Sequence, residues 1–238
     1  MKADAIIFDK DGTLIDFDAF WVPISVKAIG SVLKRLNMDL AIGERILEAF
    51  GVSDGVTSID GVLCKGTYRQ MGEIMRGILC EYGYDGSVDE AVTLLANAYD
   101  KSTDAGRIKP TCHKLAEALR ELKDRGKHLA VVTTDNEVIT RKCLKALGIE
   151  ELFDKIYTDD GVTPPKPNPF CAIDFCRLCG IEKDRAVMVG DTMTDVKFAK
   201  NAEISVLGLA KTDTNRVILE ADADAVISKI SDLIDIIE

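Results

Sequence analysis

Nothing in the 238 residues approaches the roughly 20 consecutive apolar side chains that a bilayer-spanning helix requires. Basic residues are short as well: 30 Lys and Arg against 40 Asp and Glu leave a formal net charge of −10. That balance argues against a nucleic-acid partner and against an anionic membrane surface. It leaves room for a small anionic substrate, because a bound metal ion can reverse the local sign. Histidine is scarcer still. His113 and His128 are the only two, so the seven cysteines (Cys64, Cys80, Cys112, Cys143, Cys171, Cys176, Cys179) have few partners for a zinc site. Cys176 and Cys179 have Cys-x-x-Cys spacing but fall in a segment of helical periodicity, where packing is their expected use. Free thiols throughout point to a reducing cytoplasm. A signal peptide is not expected, since Lys2 is followed by Asp4 and Asp9. Internal repeats and low-complexity segments are also lacking.

What is present is the composition of an ordinary globular protein, 47% apolar and 29% charged. The length suits one large domain or two modest ones. Ala5-Ile6-Ile7-Phe8 is a short apolar run bounded by charges and glycine, which reads as a strand buried on both faces. Residues 17 to about 107 then read as almost wholly helical. Apolar spacing near 3.6 predicts helices from Phe20 to about Leu36, Ala41 to Phe50, Gly66 to Tyr82 and Val88 to Lys101. The stretch Val52 to Gly61 reads as a Gly- and Ser-containing connection.

From about Ile108 strands and helices alternate. Helices are expected from Pro110 to Arg125, Glu137 to Leu147, Pro169 to Cys179, Thr194 to Asn201 and Ile230 to Ile237. Strands are expected at 127–132, 155–158, 186–189, 204–209 and 225–227. This rhythm implies a parallel sheet covered on both faces. The fold class expected is therefore α/β, a Rossmann-like, doubly wound parallel sheet with an inserted α-helical domain. The core takes residues 1–16 and 108–238, and the insertion takes 17–107. Polar crossings near Asp16–Asp18 and Thr103–Lys109 serve as hinges.

Four expected strand ends carry polar residues. The first gives Asp9 and Asp11, which in extended chain point to one side and can address one small volume. An ordinary polar turn at Asp11-Gly12 is the alternative. The second strand ends in Thr133-Thr134-Asp135-Asn136, where a hydroxyl and backbone N–H groups leading into a helix make a phosphate cradle or simply a helix cap. At the third, Lys166 stands among three prolines within five positions, which stiffen the backbone and aim its stem. The fourth is Gly190-Asp191-Thr192-Met193-Thr194-Asp195, with Asp191 at a strand tip facing the first carboxylates, or else a helix N-cap. Oxygen ligands on separate strand ends, with positions left for water, suit Mg²⁺.

Taken as a set, the motifs Phe8-Asp9-Lys10-Asp11-Gly12-Thr13-Leu14, Val131-Val132-Thr133, Lys166 and Gly190-Asp191-x-x-x-Asp195 resemble the haloacid dehalogenase-like superfamily. The resemblance is to its phosphatase branch, with a helical cap after the first strand, and it covers essentially the whole chain. It implies Asp9 as a nucleophile that forms an aspartyl phosphate and Asp11 as the acid and base. It implies Mg²⁺ held by Asp9, the Asp11 carbonyl and Asp191, with Asp195 in support. Thr133 and Lys166, helped by the backbone N–H groups of Lys10 and Thr134, would neutralise the phosphoryl oxygens. A true dehalogenase is not implied, since that branch lacks the acid at the Asp11 position and uses no metal.

In the cap, Leu63-Cys64-Lys65-Gly66-Thr67-Tyr68-Arg69 resembles the β-phosphoglucomutase cap loop with one residue more. By that likeness Lys65 and Arg69 would reach an anionic part of the substrate. The mutase's cap histidine is replaced by Trp21, and its fourth motif begins Glu-Asp where this chain has Gly-Asp. The expectation is a cytoplasmic, Mg²⁺-dependent phosphatase acting on a small phosphorylated metabolite, phosphoglycolate-like or a sugar phosphate. It would work as a monomer or homodimer. The alternatives are a phosphomutase and a non-catalytic binding protein that keeps the fold.

Overall fold

A computed structural model describes residues 1–238. The chain opens with β1 (Ala5–Phe8), four residues buried without exception. It then builds a largely helical unit from α1 (Phe17–Arg35), α2 (Ile42–Ala49), β2 (Val52–Ser53), β3 (Val56–Thr57), α3 (Val62–Lys65), α4 (Tyr68–Cys80) and α5 (Val88–Asp100). The second part alternates α6 (Leu115–Asp124), β4 (His128–Asn136), α7 (Glu137–Ala146), β5 (Lys155–Asp159), α8 (Phe170–Cys179), β6 (Ala186–Gly190), α9 (Met193–Ala202), β7 (Ser205–Leu209), α10 (Asp213–Glu220), β8 (Ala225–Ile227) and α11 (Leu233–Ile236). Two compact units result: Met1–Asp16 with Ile108–Glu238, and Phe17–Arg107.

The larger unit is an α/β fold, a six-stranded parallel sheet in the order β5-β4-β1-β6-β7-β8. Phe8 pairs in register with Val131 of β4 and Val189 of β6, so β1 is the central strand. Ile6, Ile7 and Phe8 are fully buried, as a strand covered by helices on both faces requires. The chain moves outward from β1 to β5 on one side and then returns to β6 on the other. That reversal leaves a crevice at the carboxyl ends of β1, β4 and β6, where parallel sheets bind their ligands.

The chain leaves this unit after Asp16 and returns at Ile108. The Asp16 amide donates to the Lys109 carbonyl (2.9 Å), and Ile15 bridges to Pro110. This pairing corrects the helix expected from Pro110. Residues 110–111 are committed to Ile15 and Leu14, so α6 starts only at Leu115.

The helical unit has its own core, with Phe20, Ile24, Phe50, Met75, Leu95 and Tyr99 almost fully buried. Tyr99 donates to Ser25 Oγ (2.7 Å), which donates to the Trp21 carbonyl (2.9 Å). Helices α4 and α5 each start in a capping box, Thr67 with Gln70 and Ser87 with Glu90. Between residues 52 and 57 the connection expected there is instead a β2–β3 hairpin. Its turn, Asp54-Gly55, has both φ angles positive (51° and 77°), which two-residue hairpin turns favour.

Three further departures concern the larger unit. Strand β4 runs on to Asn136, past a register shift, pairing Asn136 with Asp159. Helix α10, which has no counterpart among the expected elements, is capped by Thr212 accepting from the Asn215 amide (3.2 Å). The closing helix shrinks to Leu233–Ile236 after a 3₁₀ turn.

Candidate active site

Asp9 follows the last residue of β1 directly, and its amide donates to the Val189 carbonyl of β6 (2.9 Å). The chain then curls back: the Leu14 and Ile15 amides both donate to the Lys10 carbonyl (2.9 Å each). Gly12 makes this curl possible with φ +86°, and a Cβ there would fall on the Asp191 carboxylate. Gly190, ending β6, plays the same part toward Asp195, whose carboxylate a Cβ would overlap. Two glycines thus open the space in which the acids gather.

The carboxylates of Asp9, Asp191 and Asp195 converge to within 4.8 Å of one another. Lys166 reaches in from its proline-rich loop, its ammonium 2.5 Å from Asp9 Oδ1 and 2.7 Å from Asp195 Oδ1, with 4% of its side chain exposed. Asp195 Oδ2 accepts from Thr192 Oγ1 (2.6 Å) and the Thr192 amide (3.1 Å), the capping box of α9. Asp191 Oδ1 accepts from Thr13 Oγ1 (3.0 Å), and the Asp191 carbonyl accepts from Asn215 Nδ2 (3.0 Å).

Three clustered carboxylates, two of them in contact with the Lys166 ammonium and the third under the weaker pull of Lys211, leave negative charge in excess. Burial pushes Asp9 up to about 7, with Lys166 pulling it down and Asp195 and Asp11 pushing it further up. Asp191 is driven well above the usual carboxylate range by burial and by the charges of Asp9 and Asp195, against the hydrogen bond from Thr13. Such an oxygen-only donor set, crowded and under-neutralised, fits a hard divalent cation such as Mg²⁺. The Asn215 Oδ1 atom, buried beside Asp191 with no hydrogen-bond partner in the protein, adds an acceptor.

Asp11 belongs to a second cluster. Its Oδ2 lies 2.7 Å from the Lys10 ammonium, which lies 2.9 Å from Asp135 Oδ2 at the end of β4. The Lys10 side chain is wholly buried. Burial disfavours its charge, but Asp11 and Asp135 outweigh it and raise the pKa above the ordinary lysine value. Thr133 is buried, and its Oγ1 accepts from the Asp135 amide (3.2 Å), leaving the O–H to donate. Thr134 is exposed beside it. Asn136 caps α7, its Oδ1 accepting from the Ile139 amide (3.0 Å), so the helix-cap alternative for this stretch holds at that residue.

The structure therefore brings Asp9, Asp191, Asp195 and Lys166 into direct contact, with Asp11, Lys10 and Thr133 on the adjoining strand ends. Three neighbours had no role of their own in the reading of the motifs: Thr13, Asp135 and Asn215. Thr13 and Asp135 stand within the quoted stretches, whereas nothing near Asn215 in sequence points to Asp191. In the helical unit, Lys65 pairs with Asp60, and exposed Arg69 pairs with Asp89 (3.1 Å) and Glu73 (3.3 Å), so both cations are engaged within their own unit. Trp21 is half-buried, edge-on to Phe20 at 5.2 Å between ring centroids.

A protein-family model described as haloacid dehalogenase-like hydrolase matches residues 3–203. A phosphoglycolate phosphatase of Psychrobacter arcticus is 27% identical over 211 residues, covering 88% of this chain and 84% of that protein. Pyrophosphatase PpaX of Bacillus velezensis is 30% identical over 240 residues, covering 99% of this chain and 96% of its own. Among solved structures, a predicted phosphoglycolate phosphatase from Haemophilus somnus superposes with a TM-score of 0.73 at 20% identity, over 99% of this chain and 98% of that one. At that identity the likeness speaks for the fold.

Proposed function

Because the chain belongs to the haloacid dehalogenase-like hydrolases, we propose that it is a Mg²⁺-dependent phosphatase that hydrolyses a small phosphorylated metabolite through an aspartyl phosphate on Asp9. The observation that carries this reading is the convergence of Asp9, Asp191 and Asp195, with the Lys166 ammonium bound to Asp9 and Asp195.

Asp9 is the nucleophile. Its carboxylate oxygen forms a bond to phosphorus as the bond from phosphorus to the leaving oxygen breaks. Asp11 gives its proton to that leaving oxygen. Water then attacks the phosphorus of the aspartyl phosphate and passes a proton to Asp11, while the electron pair of the broken P–O bond returns to Asp9. Lys166, Thr133 and the backbone N–H groups of Lys10 and Thr134 face the charge on the phosphoryl oxygens. Asp9 and Asp191, with the Asp11 carbonyl, would hold Mg²⁺, with Asp195 in support, and the ion when bound supplies positive charge for the transferring group.

The helical unit, residues 17–107, is assigned substrate choice, with Trp21, Lys65 and Arg69 among its contributors. The names of the relatives support phosphoglycolate or pyrophosphate as the first candidates, and the cap-loop likeness adds a sugar phosphate. The test is phosphate release from a panel of these compounds with and without Mg²⁺. Release that requires Mg²⁺ supports the reading, and no release from any compound sinks it. Phosphate moved within a sugar phosphate instead of freed would favour a mutase.

A further inference from the structure

The Lys10 ammonium has no place in the reaction as described above, since only its backbone N–H was assigned there. Yet this side chain is 0% exposed and lies between two carboxylates, Asp11 Oδ2 at 2.7 Å and Asp135 Oδ2 at 2.9 Å. A buried ammonium loses its hydration, and an apolar side chain of similar length would often fill such a space at no loss of stability. Lys10 and Asp135 are also fixed at their roots. The Lys10 carbonyl accepts from the Leu14 and Ile15 amides, which pins the start of its stem. Asp135 is pinned at the end of β4 by its own amide donating to Thr133 Oγ1 (3.2 Å) and by Asp135 Oδ1 accepting from the Asn136 amide (2.8 Å). Strand β4 is the parallel neighbour of β1, so this is a strut running from one strand end to the next and ending on Asp11.

We infer that Lys10 is a positioning residue, braced by Asp135, that holds the Asp11 carboxylate ready to take the proton of the attacking water. The inference rests on the phosphatase reading and adds to it a part for the Lys10 side chain, whose ammonium is taken up by Asp11 and Asp135. Its consequence falls unequally on the two halves of the reaction. In the second half, water's oxygen bonds to phosphorus, the bond to Asp9 breaks, and the water proton goes to Asp11. That step needs the Asp11 carboxylate aimed at the water, and Lys10 aims it by direct contact. In the first half, a leaving group that departs readily as an anion needs little from Asp11.

The test uses full-length protein with Mg²⁺ and p-nitrophenyl phosphate in rapid mixing. It compares the rate of the first turnover with the steady-state rate for wild type, Lys10→Met and Asp135→Asn. The expected result is a ratio of first-turnover to steady-state rate that rises on the order of 10- to 100-fold in Lys10→Met, through slower dephosphorylation. Asp135→Asn is expected to shift the ratio in the same direction. A purely structural Lys10 would lower melting temperature and scale both rates together. An unchanged ratio in an active, folded variant overturns the inference, as does a faster steady state in Lys10→Met. Should Lys10→Met fail to fold, Asp135→Asn decides by the same ratio. A wild type that never releases p-nitrophenolate sinks the phosphatase reading and this inference with it, whereas an active wild type with unchanged variants overturns the inference alone.

Discussion

The Lys166 ammonium stands 2.5 Å from Asp9 Oδ1, although 157 residues of chain separate the two. Only a folded sheet with a stiffened loop brings them together, and the contact gives a first prediction. Lys166→Met removes the cation that touches both Asp9 and Asp195. Phosphate release is expected to fall by about 10²- to 10³-fold in kcat, the usual cost of losing one preorganised charge facing a transition state. Steady-state kinetics on p-nitrophenyl phosphate check it, and a rate within threefold of wild type would count against this role.

Cation binding at Asp9, Asp191 and Asp195 should appear in stability, independent of turnover. Ligand at 100 times its dissociation constant stabilises the folded state by about 2.7 kcal/mol. For a chain of this size that corresponds to a rise of roughly 5–10 °C in melting temperature. Asp191→Asn is expected to remove most of this Mg²⁺-dependent rise while the protein still folds. A full rise in the variant would place the cation elsewhere.

Gly12 and Gly126 both have positive φ, +86° and +78°, but a Cβ on Gly126 meets nothing within 4 Å whereas one on Gly12 meets Asp191. Alanine at either position should cost about 1–2 kcal/mol for the left-handed backbone. Gly12→Ala should in addition abolish the Mg²⁺-dependent rise and activity, because it displaces a carboxylate. Gly126→Ala should keep both. Melting curves with and without Mg²⁺ on the pair separate the two effects.

Away from the site, Asp154 ties α6 to β4 and carries its own pH signature. Burial pushes its pKa up, but both oxygens accept from Lys123 Nζ (2.8 Å each), Oδ2 also accepts from the Leu129 amide (2.8 Å), and the net shift is downward. A carboxyl with a lower pKa folded than unfolded contributes stability above its unfolded value, and loses it as pH falls through the folded one. The side chain is 35% exposed, so solvent screening holds the ion pair's share to less than about 1 kcal/mol. Asp154→Asn should therefore be less stable than wild type in urea at pH 7. The gap should close as pH falls below the ordinary aspartate range.

Much of this site could be read in the sequence because Asp9, Thr133 and Asp191 stand at or near strand ends, where an abrupt change from apolar to polar is visible. These positions carry a local mark, and so does Lys166, which lies in the loop past β5 but is set among prolines. The strut from Lys10 to Asp135 does not, because it depends on the register between β1 and β4, which lie more than a hundred residues apart in the chain. Asn215 is hidden for the same reason, reaching Asp191 from the first turn of α10. Other omissions did leave local signals. Asp54-Gly55 is a hairpin turn pair, and Thr212 with Asn215 is a helix start. The late start of α6 is different again: Pro110 is a good first helical residue, and only the pairing of Ile15 across the junction commits it otherwise.

The central claim is that Asp9 attacks phosphorus, and Asp9→Asn tests it most directly. The substitution keeps the side chain's shape and removes the nucleophilic carboxylate. Phosphate release with Mg²⁺, from whichever substrate in the panel the wild type hydrolyses fastest, should fall by at least about 10³-fold in the variant, with its melting temperature largely kept. A folded Asp9→Asn protein that still releases phosphate within tenfold of the wild-type rate would contradict the account.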